Sequence, residues 1–156
     1  MRSESREPES TPFLETLVLH QAIDVLLAEA MRESPLSPRD YAVTSLIGLH
    51  PGISATALAS ELSVPLTTVM EWLSRLVEAG YVERRRDPDD GRRRLLALTD
   101  ASVEPMREAH EQFGRAYRAF LSHAPRPVEE SMTVLRELTR AVRAAADDLW
   151  AAPGTP

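Results

Sequence analysis

Two groups of three arginines, residues 84–86 and 92–94, place six guanidinium groups within one short stretch of the sequence. The stretch lies in a 156-residue chain whose formal net charge is −6. A guanidinium group stays protonated, and its planar donors fork onto phosphate oxygens. A local excess of positive charge on an acidic chain therefore favours a nucleic-acid surface. The alternative is a surface segment without a nucleic-acid partner, in which these arginines form ion pairs with the neighbouring aspartates.

The residues around the two arginine groups predict a β-hairpin. Residues 88–91 read Pro-Asp-Asp-Gly, and each of these residue types favours a turn for its own reason. Residues 82–87 and 92–98 are then the two strands of the hairpin. Leu96 and Leu98 alternate with Ala97, so that one face of the second strand can lie on a core.

Two short helices are predicted directly before this hairpin. Ser54 is a suitable N-cap for the first helix, which ends near Leu62. The second helix runs from about Pro65, a residue favoured at the first helical position, to Ala79. Gly80 then accepts the left-handed turn that ends it. Two short helices and a tight turn form a helix-turn-helix, whose second helix can enter a DNA major groove. The added hairpin makes the unit a winged helix.

The second helix has an apolar side and a polar side at helical spacing. Hydroxyl groups and an arginine on the polar side can bond base edges and phosphates, although an ordinary solvated face has the same composition. The adjacent arginine hairpin makes DNA the better interpretation. The candidate DNA contacts are Ser54, Thr67, Thr68, Met70, Glu71, Ser74, Arg75, Arg85, Arg86, Asp90, Arg92, Arg93 and Arg94.

Several short motifs in residues 36–99 follow one family pattern. They are Ser-Pro at 37–38, His-Pro-Gly at 50–52, Leu-Ala-x-x-Leu at 58–62, Leu-x-x-x-Gly-Tyr-Val at 76–82, Asp-x-Arg at 90–92 and Leu-Thr at 98–99. In these motifs the chain resembles the MarR family of bacterial transcription regulators. The chain departs from the family at Glu71, where a basic or small polar residue is usual, and at Gly91, where arginine is frequent.

The resemblance implies a mode of action. It implies a homodimer whose recognition helices enter successive major grooves of double-stranded DNA, while the wings reach the flanking minor grooves. The DNA site is then a pseudo-palindromic operator. A small-molecule effector is implied in a pocket between the DNA-binding and dimerisation parts.

The expected fold is mainly α with a small β-hairpin wing (α+β). Residues 1–11 are expected to form a disordered tail and residues 152–156 a loose tail, while residues 36–99 form the winged helix-turn-helix. Residues 12–35 and 100–151 form a helical dimerisation region. The first helix, over about residues 13–33, is so rich in apolar residues that we expect the chain's own core to cover one side and a partner subunit the other. In the last helix, apolar residues recur every seven positions from Val128, as in a short coiled-coil seam.

The effector pocket implied by the resemblance gives candidate contacts on three helices. Tyr41 follows the Ser-Pro helix start, and the long helix that begins near Ser102 has a histidine and aromatic residues at helical spacing. A histidine or aromatic residue in such a pattern is more often simple core packing. The candidate effector-binding residues are His20, Tyr41, His110, Phe113 and Tyr117.

The composition excludes several classes of protein. The sequence has no cysteine, which excludes disulfides, a thiol sensor and cysteine metal sites. Its histidines are dispersed, and we find no catalytic constellation and expect no cofactor. No apolar stretch reaches the ~18 residues that a membrane span needs, and the start of the chain is polar, so we expect a cytoplasmic protein without a membrane partner. The main alternative function is a winged-helix module that binds protein instead of DNA; a small-molecule carrier or enzyme is a third.

Overall fold

A computed structural model describes residues 11–90 and 94–151. The helices are α1 (Pro12–Ala30), α2 (Pro38–Leu49), α3 (Ala55–Leu62), α4 (Leu66–Glu78), α5 (Val103–His123) and α6 (Val128–Ala151). Strands β1 (Val82–Arg86) and β2 (Arg94–Leu98) form one antiparallel hairpin, and a 3-10 turn, Asp100–Ser102, leads into α5. The chain divides into two compact units, one up to Ala116 and one from Tyr117 onward. The expected α+β fold with a hairpin wing is confirmed.

Side-chain caps fix the starts of the first three helices. The hydroxyl groups of Thr11, Ser37 and Ser54 accept hydrogen bonds from backbone N–H groups three residues further on. These bonds satisfy donors that the helix itself leaves unpaired. The predicted start of the long helix near Ser102 is confirmed, because α5 begins directly after this residue.

The connection between α3 and α4 is as tight as a helix-turn-helix requires. Ser63 ends α3 in the left-handed region with φ 54°, and the Val64 N–H donates to Ala59 O at 3.1 Å. Pro65 is the N-cap of α4 and not its first helical residue, so the sequence placed the start of this helix one residue early. Proline is tolerated at this position because a residue at a helix start has no intrahelical acceptor for its backbone N–H, which proline lacks.

The wing is joined to the helix-turn-helix by backbone hydrogen bonding. Val82 pairs with Leu98 and Arg86 with Arg94, which sets the register of the hairpin. On the other edge of β2, the Leu96 N–H donates to Ile53 O at 2.9 Å, just before α3. The position of the wing relative to α3 therefore depends on the backbone, not on side chains alone.

One apolar core holds the winged helix together. It contains buried side chains from every element between α2 and β2, namely Val43, Ile47, Leu58, Val69, Leu73, Leu76, Val82 and Leu96. A smaller cluster joins Met31, Leu36 and Ala109, which lie after α1, before α2 and on α5. Both clusters belong to the first unit.

Helices α1 and α6 keep their apolar side chains exposed. The expectation that the chain's own core covers one side of α1 is wrong: α1 buries no residue, and Phe13, Leu17 and Val25 are each more than half exposed. Neither apolar cluster contains a buried residue of α1, and the first described residue of the chain in either cluster is Met31. On α6, the seven-residue repeat of Leu135 and Val142 is likewise exposed. Within the described residues, no helix has the length and apolar character needed to cross a membrane.

Gly80 gives a direct test of how α4 ends. The Gly80 N–H donates to Val77 O and the Tyr81 N–H to Leu76 O, each at 2.9 Å, which is the Schellman pattern. Gly80 has φ +76°, and a Cβ there would meet nothing within 4 Å. We therefore expect Gly80→Ala to lower the free energy of unfolding by about 1–2 kcal/mol through backbone strain alone.

The measurement is urea unfolding of the Ala and Asn variants beside the native chain. Asn tolerates the left-handed region better than Ala, so Gly80→Asn should lose less stability. Equal stability of the native chain and the Ala variant would contradict the assignment of this helix end.

Candidate nucleic-acid interface

Helix α4 presents its polar side to solvent because its opposite side is fixed in the core. Val69, Leu73 and Leu76 are buried at helical spacing and determine the rotation of the helix. The side chains opposite them are exposed at Thr67, Glu71, Ser74 and Arg75, while Thr68 is half-buried. This part of the predicted DNA surface is therefore accessible to a duplex.

The pleat of the hairpin directs three arginines to one face. Alternate residues of a strand share a face, and Arg84 lies directly across from the buried Leu96. Arg86 and Arg94 are opposite each other on that same face. Two guanidinium groups directly opposite each other repel, and an anion bound between them would reduce this repulsion.

An open groove separates this face of the wing from α4. Its volume is about 440 Å³, and residues from α3, α4 and both strands line it. Met70 contributes from α4 and Ser54 from the start of α3, while Arg84 and Arg94 contribute from the wing. Three of these four residues are predicted DNA contacts that the fold brings together.

Arg84, which is not among the predicted DNA contacts, shares the groove face of the wing, whereas Arg85, which is among them, does not. Arg85 lies on the opposite face of the pleat, where its Nε donates to Glu83 Oε1 at 2.7 Å. Its position follows from strand alternation and from the ion pair with Glu83. The alternation of Leu96 and Leu98 and the register of the hairpin are the signals that place Arg84 on the groove face; whether Arg85 contacts DNA stays a prediction.

The remaining predicted DNA contacts are an acidic and a basic residue of α4 and the residues of the wing tip. Glu71 and Arg75 are one helical turn apart, yet they form no ion pair among those of the described residues. Asp90 is exposed in the hairpin turn. Gly91, Arg92 and Arg93 lie outside the described residues, as do residues 1–10 and 152–156 of the predicted tails.

Three of the five predicted effector contacts come together. The Tyr41 hydroxyl and His110 Nδ1 are 2.7 Å apart. The ring centroid of Tyr41 is 5.4 Å from that of Phe113 and 6.3 Å from that of His110. Tyr41 and Phe113 also pack on the small cluster around Met31.

The remaining two predicted effector contacts have other neighbours. His20 is exposed on α1, with its Nε2 3.4 Å from Asp24 Oδ2. Tyr117 belongs to the second unit and stacks with Phe120 at a centroid distance of 6.3 Å. Among the described residues, no three His, Asp or Glu side chains are grouped to hold a metal ion.

Comparisons with known proteins agree with this geometry. A family model described as MarR family matches residues 36–93. Transcriptional regulator HosA of Escherichia coli O111:H- is 37% identical over 82 residues, which are 52% of this chain and 61% of HosA. The multiple antibiotic resistance protein MarR of Escherichia coli K12 is 30% identical over 98 residues, 63% of this chain and 68% of that protein. The match thus spans less than two thirds of HosA.

Solved structures show the same fold over nearly the whole chain. The PcaV transcriptional regulator of Streptomyces coelicolor, crystallised with its natural ligand, has a TM-score of 0.72 and 28% identity, and the match covers 92% of this chain and 99% of PcaV. A MepR–DNA complex from S. aureus has a TM-score of 0.70 over 87% of this chain and 99% of MepR, and at 17% identity it supports the fold alone. The chain belongs to the MarR family of winged-helix transcription regulators, which are DNA-binding proteins and not enzymes.

Proposed function

We propose that this protein is a homodimeric, sequence-specific transcription repressor whose affinity for double-stranded DNA is controlled by a small molecule. The observation that carries the proposal is the placement of Arg84, Arg86 and Arg94 on the wing face that borders the polar side of α4. A chain of net charge −6 gains DNA affinity only where its cations are concentrated.

In the proposed complex, the polar side of α4 enters the major groove. Thr67, Thr68 and Ser74 bond base edges or phosphates, and Arg75 bonds a guanine or a phosphate. The wing then reaches the neighbouring minor groove, whose negative potential attracts arginine. Such a complex occupies chromosomal DNA in the cytoplasm, and it represses by excluding other proteins from the promoter.

The apolar side chains on α1 support the proposal of a homodimer. A soluble monomer rarely exposes a large contiguous apolar patch, and α1 exposes Leu14, Leu17, Val18 and Ile23 within ten residues. The exposed repeat on α6 adds a second apolar surface. A two-fold dimer places two α4 helices on two half-sites, so the operator is a pseudo-palindrome with centres one DNA turn, about 34 Å, apart.

The cluster of Tyr41, His110 and Phe113 supports the proposal of a small-molecule effector. It offers two aromatic faces and a Tyr–His hydrogen bond that a polar ligand can replace. A ligand that binds more tightly to a dimer with the wrong α4 separation shifts the population away from the DNA-bound form. The coupling is reciprocal, so any such ligand must also bind more weakly to the DNA complex.

The first prediction concerns the wing. We expect Arg84→Ala/Arg94→Ala to weaken binding to a duplex from the protein's own upstream region by roughly 30-fold, since a dimer loses four charges worth about 0.5 kcal/mol each. Arg85→Ala is the matched control, because its guanidinium group is paired with Glu83 on the other face. Fluorescence anisotropy measures the dissociation constants.

Each outcome of this comparison has a definite meaning. Loss of binding by the double variant, with Arg85→Ala close to the native chain, supports the proposed interface. If Arg85→Ala, which removes half as many charges, loses half as much binding free energy, only net charge matters. Absence of binding by the native chain at low salt, to this duplex and to DNA of mixed sequence, would favour a protein-binding module.

The second prediction concerns Glu71. A carboxylate about 6 Å from a phosphate is repelled by about 0.7 kcal/mol in water. Glu71→Gln removes two such carboxylates from the dimer, so we expect it to strengthen binding to DNA of mixed sequence by about tenfold. Glu78→Gln, three residues after Arg75, the last proposed contact on α4, is the control. Unchanged binding by Glu71→Gln would show that the middle of α4 does not face phosphates.

The third prediction concerns assembly. We expect sedimentation equilibrium to give twice the 17.3 kDa chain mass for the native protein. Leu17→Glu places a charge within the apolar surface of α1 and should shift the protein toward a monomer. Leu49→Glu, at an exposed position at the end of α2 in the winged helix, should leave the mass unchanged. A monomeric native chain at micromolar concentration would contradict the proposed dimer.

A further inference from the structure

The edge of α4 away from the wing has an arginine of its own. The guanidinium carbon of Arg39, in the first turn of α2, lies 5.2 Å from the ring centroid of Trp72 on α4. Trp72 is half-buried and packs against the core of the winged helix. A cation over an aromatic face at this distance is attracted by the ring. The anchored ring thus gives the flexible Arg39 side chain a preferred position beside α4.

The position of Trp72 on α4 places Arg39 next to the proposed DNA surface. Residues three and four positions apart share one side of a helix, so Trp72 lies beside Thr68 and Arg75. Leu66 and Met70 are on the other edge, where they line the groove with the wing arginines. Cations therefore border the polar side of α4 on both edges.

The charge of Arg39 is left without a counter-charge. Among the described residues, Arg39 takes part in no ion pair, and its side chain is exposed. The adjacent carboxylate, that of Asp40, is engaged in the helix cap, where Ser37 Oγ donates to its Oδ2 at 2.7 Å. The helix dipole also disfavours a cation in a first turn. An anion beside Arg39 would supply the missing counter-charge and offset the unfavourable interaction with the helix dipole.

We infer that Arg39 is a further DNA-backbone contact and that Trp72 is its positioning residue. The inference rests on the proposed function, since it extends the same DNA surface by one element. In this arrangement Arg39 bonds a phosphate on the side of the major groove away from the wing. Each half of the dimer is thereby held at both edges of its recognition helix, which fixes the register of α4 in the groove.

The experiment measures how DNA affinity changes with salt. Full-length protein is titrated into a mixed-sequence duplex of about 30 base pairs, because phosphate contacts do not need the operator. Each lost phosphate contact lowers the slope of log affinity against log salt by about 0.9, so Arg39→Gln should lower it by about two in the dimer. Arg39→Lys keeps the charge and should retain most of the slope.

Arg107 provides a control of equal charge change. It is an exposed arginine on α5 that forms ion pairs with Glu104 and Glu111. Hydrogen bonding to Arg107 holds the pKa of Glu104 below its ordinary value, as expected for a neutralised pair. Arg107→Gln should leave the slope unchanged.

Trp72 is tested by a double-mutant cycle, which separates positioning from general damage. Trp72→Leu should weaken DNA binding when Arg39 is present and should add little once Arg39→Gln has been made. Trp72→Phe retains an aromatic face and should bind nearly as well as the native chain. Additive losses would overturn the positioning role.

The outcomes separate this inference from the proposed function. A normal slope for Arg39→Gln, beside a reduced slope for Arg84→Ala/Arg94→Ala, overturns the inference and leaves the proposed function standing. An equal reduction in Arg107→Gln also overturns it. Absence of salt-dependent binding by the native chain contradicts the proposed function and this inference together.

Discussion

The hydrogen bond from the Leu96 N–H to Ile53 O, 2.9 Å long, connects the two parts of the molecule that must act together. It joins the second strand of the wing to the residue just before the capped start of α3. Since α3 and α4 are joined by the tight turn at Ser63, the wing has a fixed place relative to α4. The groove between them, with arginines on one wall, is the consequence.

Electrostatics explains why this geometry matters for an acidic chain. Exposed charges further apart than a Debye length, about 8 Å at physiological salt, are largely screened from each other. A duplex at the surface therefore senses the local cations around α4 and little of the net charge of −6. The opposed pair Arg86 and Arg94 shows the cost of this arrangement in the free protein, because like charges directly across a hairpin are destabilising.

Local features of the fold were predictable from the sequence, and long-range contacts were not. Caps such as Ser54 and the end of α4 at Gly80 follow from residue type and nearest neighbours. Other contacts depend on the fold or on the pleat of the strand. They are the hydrogen bond between Leu96 and Ile53, the stacking of Arg39 on Trp72, and the ion pair of Arg85 with Glu83 on the other face of the wing. Tyr41 and His110, 69 positions apart, were both named only through the family resemblance.

The most direct test of the account is the salt dependence of DNA binding by the native protein. Three wing arginines in each half of the proposed dimer give six phosphate contacts, so affinity should fall by about 10³ between 50 and 200 mM salt. A steep linear decrease of log affinity with log salt would support a DNA surface built from local cations. Affinity that is absent at low salt, or independent of salt, would contradict it.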